Sequence, residues 1–213
     1  MRLSPKRIFD LVSALSVIIL LSPLLLVIAF LIKLGDRGPA LYRGVRVGRF
    51  GRLFRLFKFR TMVVNAEKIG GPSTSDDDPR ITRIGRRLRK YKLDELPELL
   101  NVIIGDMSLV GPRPEVKSEV DTYTDEELLL LTMRPGITDY ASLKFYDEGE
   151  ILRGSIDPHE AYLRLIRPQK VALGLQYVRE ASLWVDLKIL LLTLATLLKT
   201  RTKRRITHAG MST

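Results

Sequence analysis

Asp94 and Glu95 stand side by side just before an apolar-periodic stretch, and Arg113 follows between two prolines. A carboxylate nucleophile, a hard-oxygen metal ligand and an anion clamp are the parts phosphoryl transfer needs. Pro97 is tolerated only in a helix's first turn, and Leu96, Leu99, Leu100 and Ile103 form a helical stripe. A helix is therefore predicted over 95–104, with Asp94 at its N-terminus. Exposed amides and the helix dipole there favour an ionised carboxylate. Taken alone, the same pair also reads as a helix cap and a first-turn acid, so the spacing leaves both readings open.

The elements that must position this pair are constrained by composition. With 213 residues the chain is long enough for one domain with a real core. It has no cysteine, which excludes disulfides, cysteine–zinc sites and thiol catalysis, and its two histidines are far apart in sequence. The net charge of +11 is concentrated: residues 1–60 carry twelve Lys/Arg against two acids, 80–92 add seven, and 199–205 add five. Such a surplus implies an anionic partner: nucleic acid, acidic phospholipid or a phosphorylated substrate.

From Leu11 to Ile32 run 22 residues without a charge, about the length that crosses a bilayer core as a helix. Proline at Ser22-Pro23 removes a backbone hydrogen bond mid-run, and both flanks are basic. A segment that enters the bilayer, turns at Ser22-Pro23 and leaves on the same face satisfies both observations. In that form the Ser22 hydroxyl bonds a carbonyl one turn back. A straight kinked span is the alternative. Arg7 and Asp10, spaced i,i+3, are a candidate pair at the interface, or two separately solvated charges.

Residues 38–60 predict a short β-hairpin with one basic face, followed by a polar loop at 70–79 holding Asp76, Asp77 and Asp78. Helices are predicted over 80–91, 124–132 and 158–181, the last bent near Pro168. The apolar 184–199 segment reads as an interfacial helix, with a buried core helix as the competing reading. The fold class is α+β and mostly helical. The organisation is a membrane-embedded segment over 1–36, a catalytic domain over 37–200 on the membrane surface, and a flexible basic tail over 201–213.

Several motifs occur in order: Lys6-Arg7-Ile8-Phe9-Asp10, the central Ser22-Pro23, Lys58-Phe59-Arg60-Thr61-Met62, Asp78-Pro79-Arg80-Ile81-Thr82, Leu93-Asp94-Glu95-Leu96-Pro97, the run Gly105 to Pro114, and Arg134-Pro135-Gly136-Ile137-Thr138. Together they resemble the bacterial sugar transferase family, the monotopic phosphoglycosyl transferases, and in particular its small members. The resemblance implies transfer of a phosphosugar from a UDP-sugar to undecaprenyl phosphate at the cytoplasmic face of the bacterial inner membrane. It maps the nucleophile to Asp94, which forms a phosphosugar–aspartyl intermediate as UMP leaves. Asp94 and Glu95 are then the catalytic pair and the Mg2+ ligands. Arg113 and Lys58 bind phosphate, with Arg80 and Arg134 as further candidates. One segment departs from the family: after Arg-Pro-Gly-Ile-Thr many members continue Gly-Trp-Ala-Gln-Val-Asn-Gly-Arg, whereas here the chain reads Asp139 to Phe145. That puts sugar or base contacts in question, not the reaction type.

A non-catalytic basic module gripping nucleic acid or anionic lipid explains the charge and the hairpin. It does not explain the acids and prolines of 94–114. The adopted reading has a UDP-sugar, the lipid phosphate and the bilayer as partners, no nucleic acid, and leaves a homodimer open. Because the chain lacks native cysteine, cysteines introduced at 2 and 40 test the topology: labelling from one face fits a re-entrant segment, and labelling from opposite faces excludes it.

Overall fold

The computed structural model describes residues 4–66, 69 and 73–209. Helix α1 (Pro5–Asp36) opens with Pro5 at its first position and with the Ser4 hydroxyl accepting from the Arg7 amide at 3.3 Å. Helical conformation persists through Pro23, where the sequence placed a turn, and Ser22 Oγ donates to the Ile19 carbonyl at 2.9 Å. The hydroxyl thus occupies a carbonyl beside the proline, the local bond expected from sequence. Among the described residues α1 is the one helix long and apolar enough to cross a membrane, and only 11% of its apolar window is buried.

Strands β1 (Leu41–Val47) and β2 (Leu53–Phe59) form the expected antiparallel hairpin, registered from Leu41↔Phe59 to Val47↔Leu53. Phe54 and Leu56, on one face of β2, are buried in one cluster, and Phe59 is buried in another. Helix α2 (Arg83–Lys90) starts where Thr82 Oγ accepts from the Gly85 amide at 3.0 Å. Gly85 has no alternative, because a Cβ there would lie 1.9 Å from the Thr61 carbonyl oxygen.

The helix predicted from 95 begins later. A 3-10 turn spans Leu93–Glu95, and α3 runs Glu98–Ile104. The 124–132 helix is a 3-10 stretch over Glu127–Thr132. The long predicted helix is two, α7 (Pro158–Leu165) and α8 (Arg167–Glu180), parted at Ile166 so that Pro168 sits in the tolerant first turn of α8. Short helices α4 (Lys117–Val120), α5 (Tyr140–Lys144) and α6 (Glu148–Ile151) lie between. Helix α9 (Leu183–Ala209) continues into the segment read as a flexible tail from 201; the remainder of that tail, 210–213, lies outside the described residues.

The main core joins both ends of the chain: Ala14 from α1, Leu56 from β2, Val102 from α3, Tyr177 from α8 and Ile189 from α9. A second cluster sets Ile28 and Ile32, near the other end of α1, against Phe59 and Leu88. Each such buried aliphatic side chain contributes about 1.5–3 kcal/mol relative to exposure. Both ends of α1 are therefore seated on the same domain, while Ile19, Leu20 and Leu26 between them are exposed.

Arg7 and Asp10 do not pair with each other, contrary to the i,i+3 expectation. Arg7 donates to the Val102 and Ile103 carbonyls at 2.7 and 3.1 Å, at the open C-terminal end of α3. Asp10 accepts from Ser108 Oγ at 2.9 Å and meets Lys6, which also contacts Asp186 at 2.6 Å. Local spacing permits the i,i+3 pair, but carbonyls brought in from distant sequence offer a buried guanidinium more hydrogen bonds.

Strand β3 (Ser108–Val110) pairs in parallel with β4 (Gly136–Thr138). Beyond them two backbones touch: a Cβ on Gly136 would fall 2.0 Å from the Gly111 amide nitrogen, and one on Gly111 would fall 2.3 Å from the Arg134 carbonyl oxygen. This contact fixes the loop that carries Arg113. Overpacking of this kind costs about 1–3 kcal/mol or more, so Gly136→Ala is expected to lower the melting temperature by roughly 4–10 °C, read by thermal unfolding in detergent.

Candidate active site

The site is built where the hairpin meets α3. Asn101 is fully buried, and its side-chain amide brackets β2: Oδ1 accepts from the Phe57 amide at 2.9 Å, and Nδ2 donates to the Arg55 carbonyl at 2.7 Å. The next residue, Lys58, is thereby held over the first turn of α3. Its ammonium lies 2.8 Å from Glu95 Oε1 and 3.1 Å from Glu98 Oε1. Arg113 reaches the same Glu95 oxygen from the other side at 2.9 Å. Asp94 is buried beside them, and its Oδ1 makes no hydrogen bond with any described residue.

Electrostatics divide the three acids. Burial pushes Glu95 up, but Lys58 and Arg113 outweigh it and hold the carboxyl well below its usual range. Burial and then the neighbouring Glu95 charge push Asp94 up. Glu98 is lifted to about 7 by burial, against the pull of Lys58 and with the repulsion of Glu95. Burial pulls the Lys58 ammonium down, yet Glu95 and Glu98 together raise it. At neutral pH Glu95 and Lys58 are charged, and Asp94 has an oxygen with no hydrogen-bond partner among the described residues.

The structure brings together four sequence-predicted residues, Asp94, Glu95, Lys58 and Arg113, from β2, the 3-10 turn and the loop after β3. Arg134 goes elsewhere: its Nε donates to the Gly105 carbonyl at 3.0 Å, beyond the C-terminus of α3. Arg80 forks onto Asp78, with Nη2 to Oδ2 at 2.7 Å, and also donates to the Ala66 carbonyl. Both reach structural partners through the loops that their motifs build. Glu98 and Asn101 were missed. Glu98 lies one helical turn beyond Asp94, on the same face, and that spacing was a usable signal. Nothing in the sequence pairs Asn101 with residues 55 and 57.

Magnesium is taken by one or two carboxylates with substrate phosphates and waters completing the shell, so it needs no closed protein cage. Among the described residues no group of three or more His, Cys, Asp or Glu side chains is arranged to hold a metal ion by itself. The unpartnered buried oxygen of Asp94 and the adjacent Glu95 supply the hard oxygen donors such a site uses.

The bacterial sugar transferase family matches residues 1–200. The chain belongs to that family. It is 41% identical over 198 residues to the UDP-glucose:undecaprenyl-phosphate glucose-1-phosphate transferase of Caulobacter vibrioides, covering 92% of this chain and 70% of that protein. It is 38% identical over 197 residues to the UDP-N-acetylgalactosamine-undecaprenyl-phosphate N-acetylgalactosaminephosphotransferase of Aeromonas hydrophila, covering 91% of this chain and 43% of that one. With the UDP-glucose:undecaprenyl-phosphate glucose-1-phosphate transferase of Escherichia coli K12 it shares 37% over 192 residues, 88% of this chain and 39% of the relative. The chain thus spans about two fifths of the length of the last two.

A carboxyl whose pKa is higher folded than unfolded binds more protons in the native state, so its contribution to stability falls as pH rises between the two values. For Glu98 that window runs from the ordinary 4.5 to about 7. Glu98→Gln is expected to remove this loss, making the variant gain on wild type as pH rises through the window, measured by melting at pH 5 and pH 8.

Proposed function

We propose that this family member transfers a phosphosugar from a UDP-sugar to undecaprenyl phosphate, releasing UMP, with Asp94 as a covalent nucleophile. The observation that carries the reading is the buried Asp94 oxygen without a partner among the described residues, set beside a Glu95 kept ionised by Lys58 and Arg113. The names of the three relatives support the donor and acceptor classes.

Donor and acceptor are both polyanions and repel each other. A covalent intermediate lets them react in turn at one site. In the first step an Asp94 carboxylate oxygen attacks the sugar-bearing phosphorus. The bond from that phosphorus to the bridging oxygen breaks, and UMP leaves with the electron pair. In the second step an oxygen of the lipid phosphate attacks the same phosphorus, and Asp94 departs as a carboxylate. Arg113 offers a planar fork to phosphate oxygens, and its flanking prolines restrict its backbone. Lys58, buried between two carboxylates, keeps the anionic site from repelling the donor. Asp94 and Glu95 would hold a magnesium ion, which would supply charge neutralisation for the diphosphate.

Helix α1 supports a membrane location. Its two ends pack on the catalytic domain while its apolar middle is exposed. This fits a segment that enters and leaves lipid on one face. The basic flanks before Leu11 and after Ile32 favour a cytoplasmic position for that face. The exposed Trp184, Leu187 and Leu191 of α9 suit the same interface.

UMP release by the purified protein, with magnesium, undecaprenyl phosphate and a panel of UDP-sugars, tests the reaction. Asp94→Asn should lower it by roughly 10³-fold or more; wild-type rates in that variant would sink the nucleophile assignment.

A further inference from the structure

Arg113 faces two ways. One nitrogen holds Glu95, and the same side chain lines a recess on the far side, walled by Glu115, Tyr123, Asp139, Tyr162 and Lys170. The recess lies between the loop that follows β3, the start of α5, and helices α7 and α8.

Its charges settle what kind of group suits it. Three bases line it, Arg113, Arg167 and Lys170, and three acids, Glu115, Glu119 and Asp139. Arg167 is held by Glu127 at 2.9 Å and lies 3.6 Å from Glu119, and Lys170 is paired with Glu148 at 2.5 Å. A second phosphate would find these cations occupied and three carboxylates nearby. A neutral polar group meets no such conflict.

Hydrogen-bonding capacity is also unused here. The Tyr123 hydroxyl makes no hydrogen bond with the described residues, its ring contact being the Arg167 guanidinium 5.7 Å from the centroid. Among the described residues the Glu115 carboxylate hydrogen-bonds only the Tyr162 hydroxyl, at 3.5 Å, with the charges of Lys170 and Arg113 acting on it. Burial raises Glu115 as well, as expected of an acid poorly provided with partners. A carboxylate that accepts, phenols that accept and donate, and a guanidinium that donates are together complementary to ring hydroxyls, each of which both gives and takes. Asp139 and Ala141 in the wall belong to the segment where this chain departs from the family pattern.

We infer that this recess takes a hydroxyl-bearing ring of the donor, next to the phosphate on Arg113, with Tyr123 and Glu115 as its hydrogen-bonding partners. The inference rests on the transfer reading above. The ring is either the transferred sugar or the ribose of the nucleotide, which share this chemistry.

Tyr123→Phe keeps the ring over Arg167, and Glu115→Gln keeps the backbone carbonyl that accepts from the Val47 amide. Binding of UDP-glucose, UDP-galactose, UDP-N-acetylgalactosamine and UMP is measured by titration calorimetry for wild type and both variants, alongside UMP release. Each variant is expected to bind UDP-sugars about 3- to 10-fold more weakly, with its melting temperature and the KM for undecaprenyl phosphate unchanged. Losses that differ among the sugars and spare UMP assign the transferred ring. Equal losses that include UMP assign the ribose. Unchanged donor binding in folded variants overturns the inference, as does failure of the wild type to bind any of the four. Wild-type binding that the variants weaken, without turnover, leaves the recess standing and overturns the transfer reading.

Discussion

Within five residues the chain places three carboxylates, Asp94, Glu95 and Glu98, at a buried turn, and their repulsion is the constraint the rest of the structure answers. Unpaired charges so close together in a low-dielectric setting are costly, and they stay there only with a cation between them. That cation is Lys58, delivered by the hairpin and shared between Glu95 and Glu98. Its placement depends on the register of β2, which depends on the Asn101 bracket, which depends on α3 being held at its other end.

Arg7 does the holding. The last carbonyls of a helix have no intrahelical partners, and Arg7 and Arg134 fill that role at the C-terminal end of α3. The short helix is thus fixed at one end by α1 and bears the acid cluster at the other. Gly111 and Gly136, in backbone contact, set the second cation, Arg113, on the opposite side of Glu95.

Local features were legible in the sequence: the hairpin from alternation and glycines, α1 from its apolar run, and the helix after Asp94 from Pro97 and the leucine stripe, although it starts at Glu98 after a 3-10 turn. Their partners were not. Arg7 and Asp10 read as a local pair because spacing is all a sequence shows. The carbonyls on Arg7 and the Ser108 hydroxyl on Asp10 come instead from about a hundred residues away, and the local ion pair of Asp10 is with Lys6. Arg134 and Arg80 share motifs with the site, yet one closes a helix end and the other ties a loop to Asp78. Glu98 was visible as a same-face neighbour of Asp94. Its burial was not, because the lysine that permits it comes from β2.

The Asn101 bracket has a consequence for the chain as a material. A two-stranded hairpin has two open edges, and each is a template for pairing with another chain. Along β1 the Val47 amide is taken by the Glu115 carbonyl, and along β2 the amide and carbonyl at 57 and 55 are taken by one side chain. Asn101 therefore fills the place of a third strand. Exchanging it for an aliphatic residue of similar size would uncover an aromatic-rich edge, leaving the hairpin open to intermolecular strand addition as well as loosening the site.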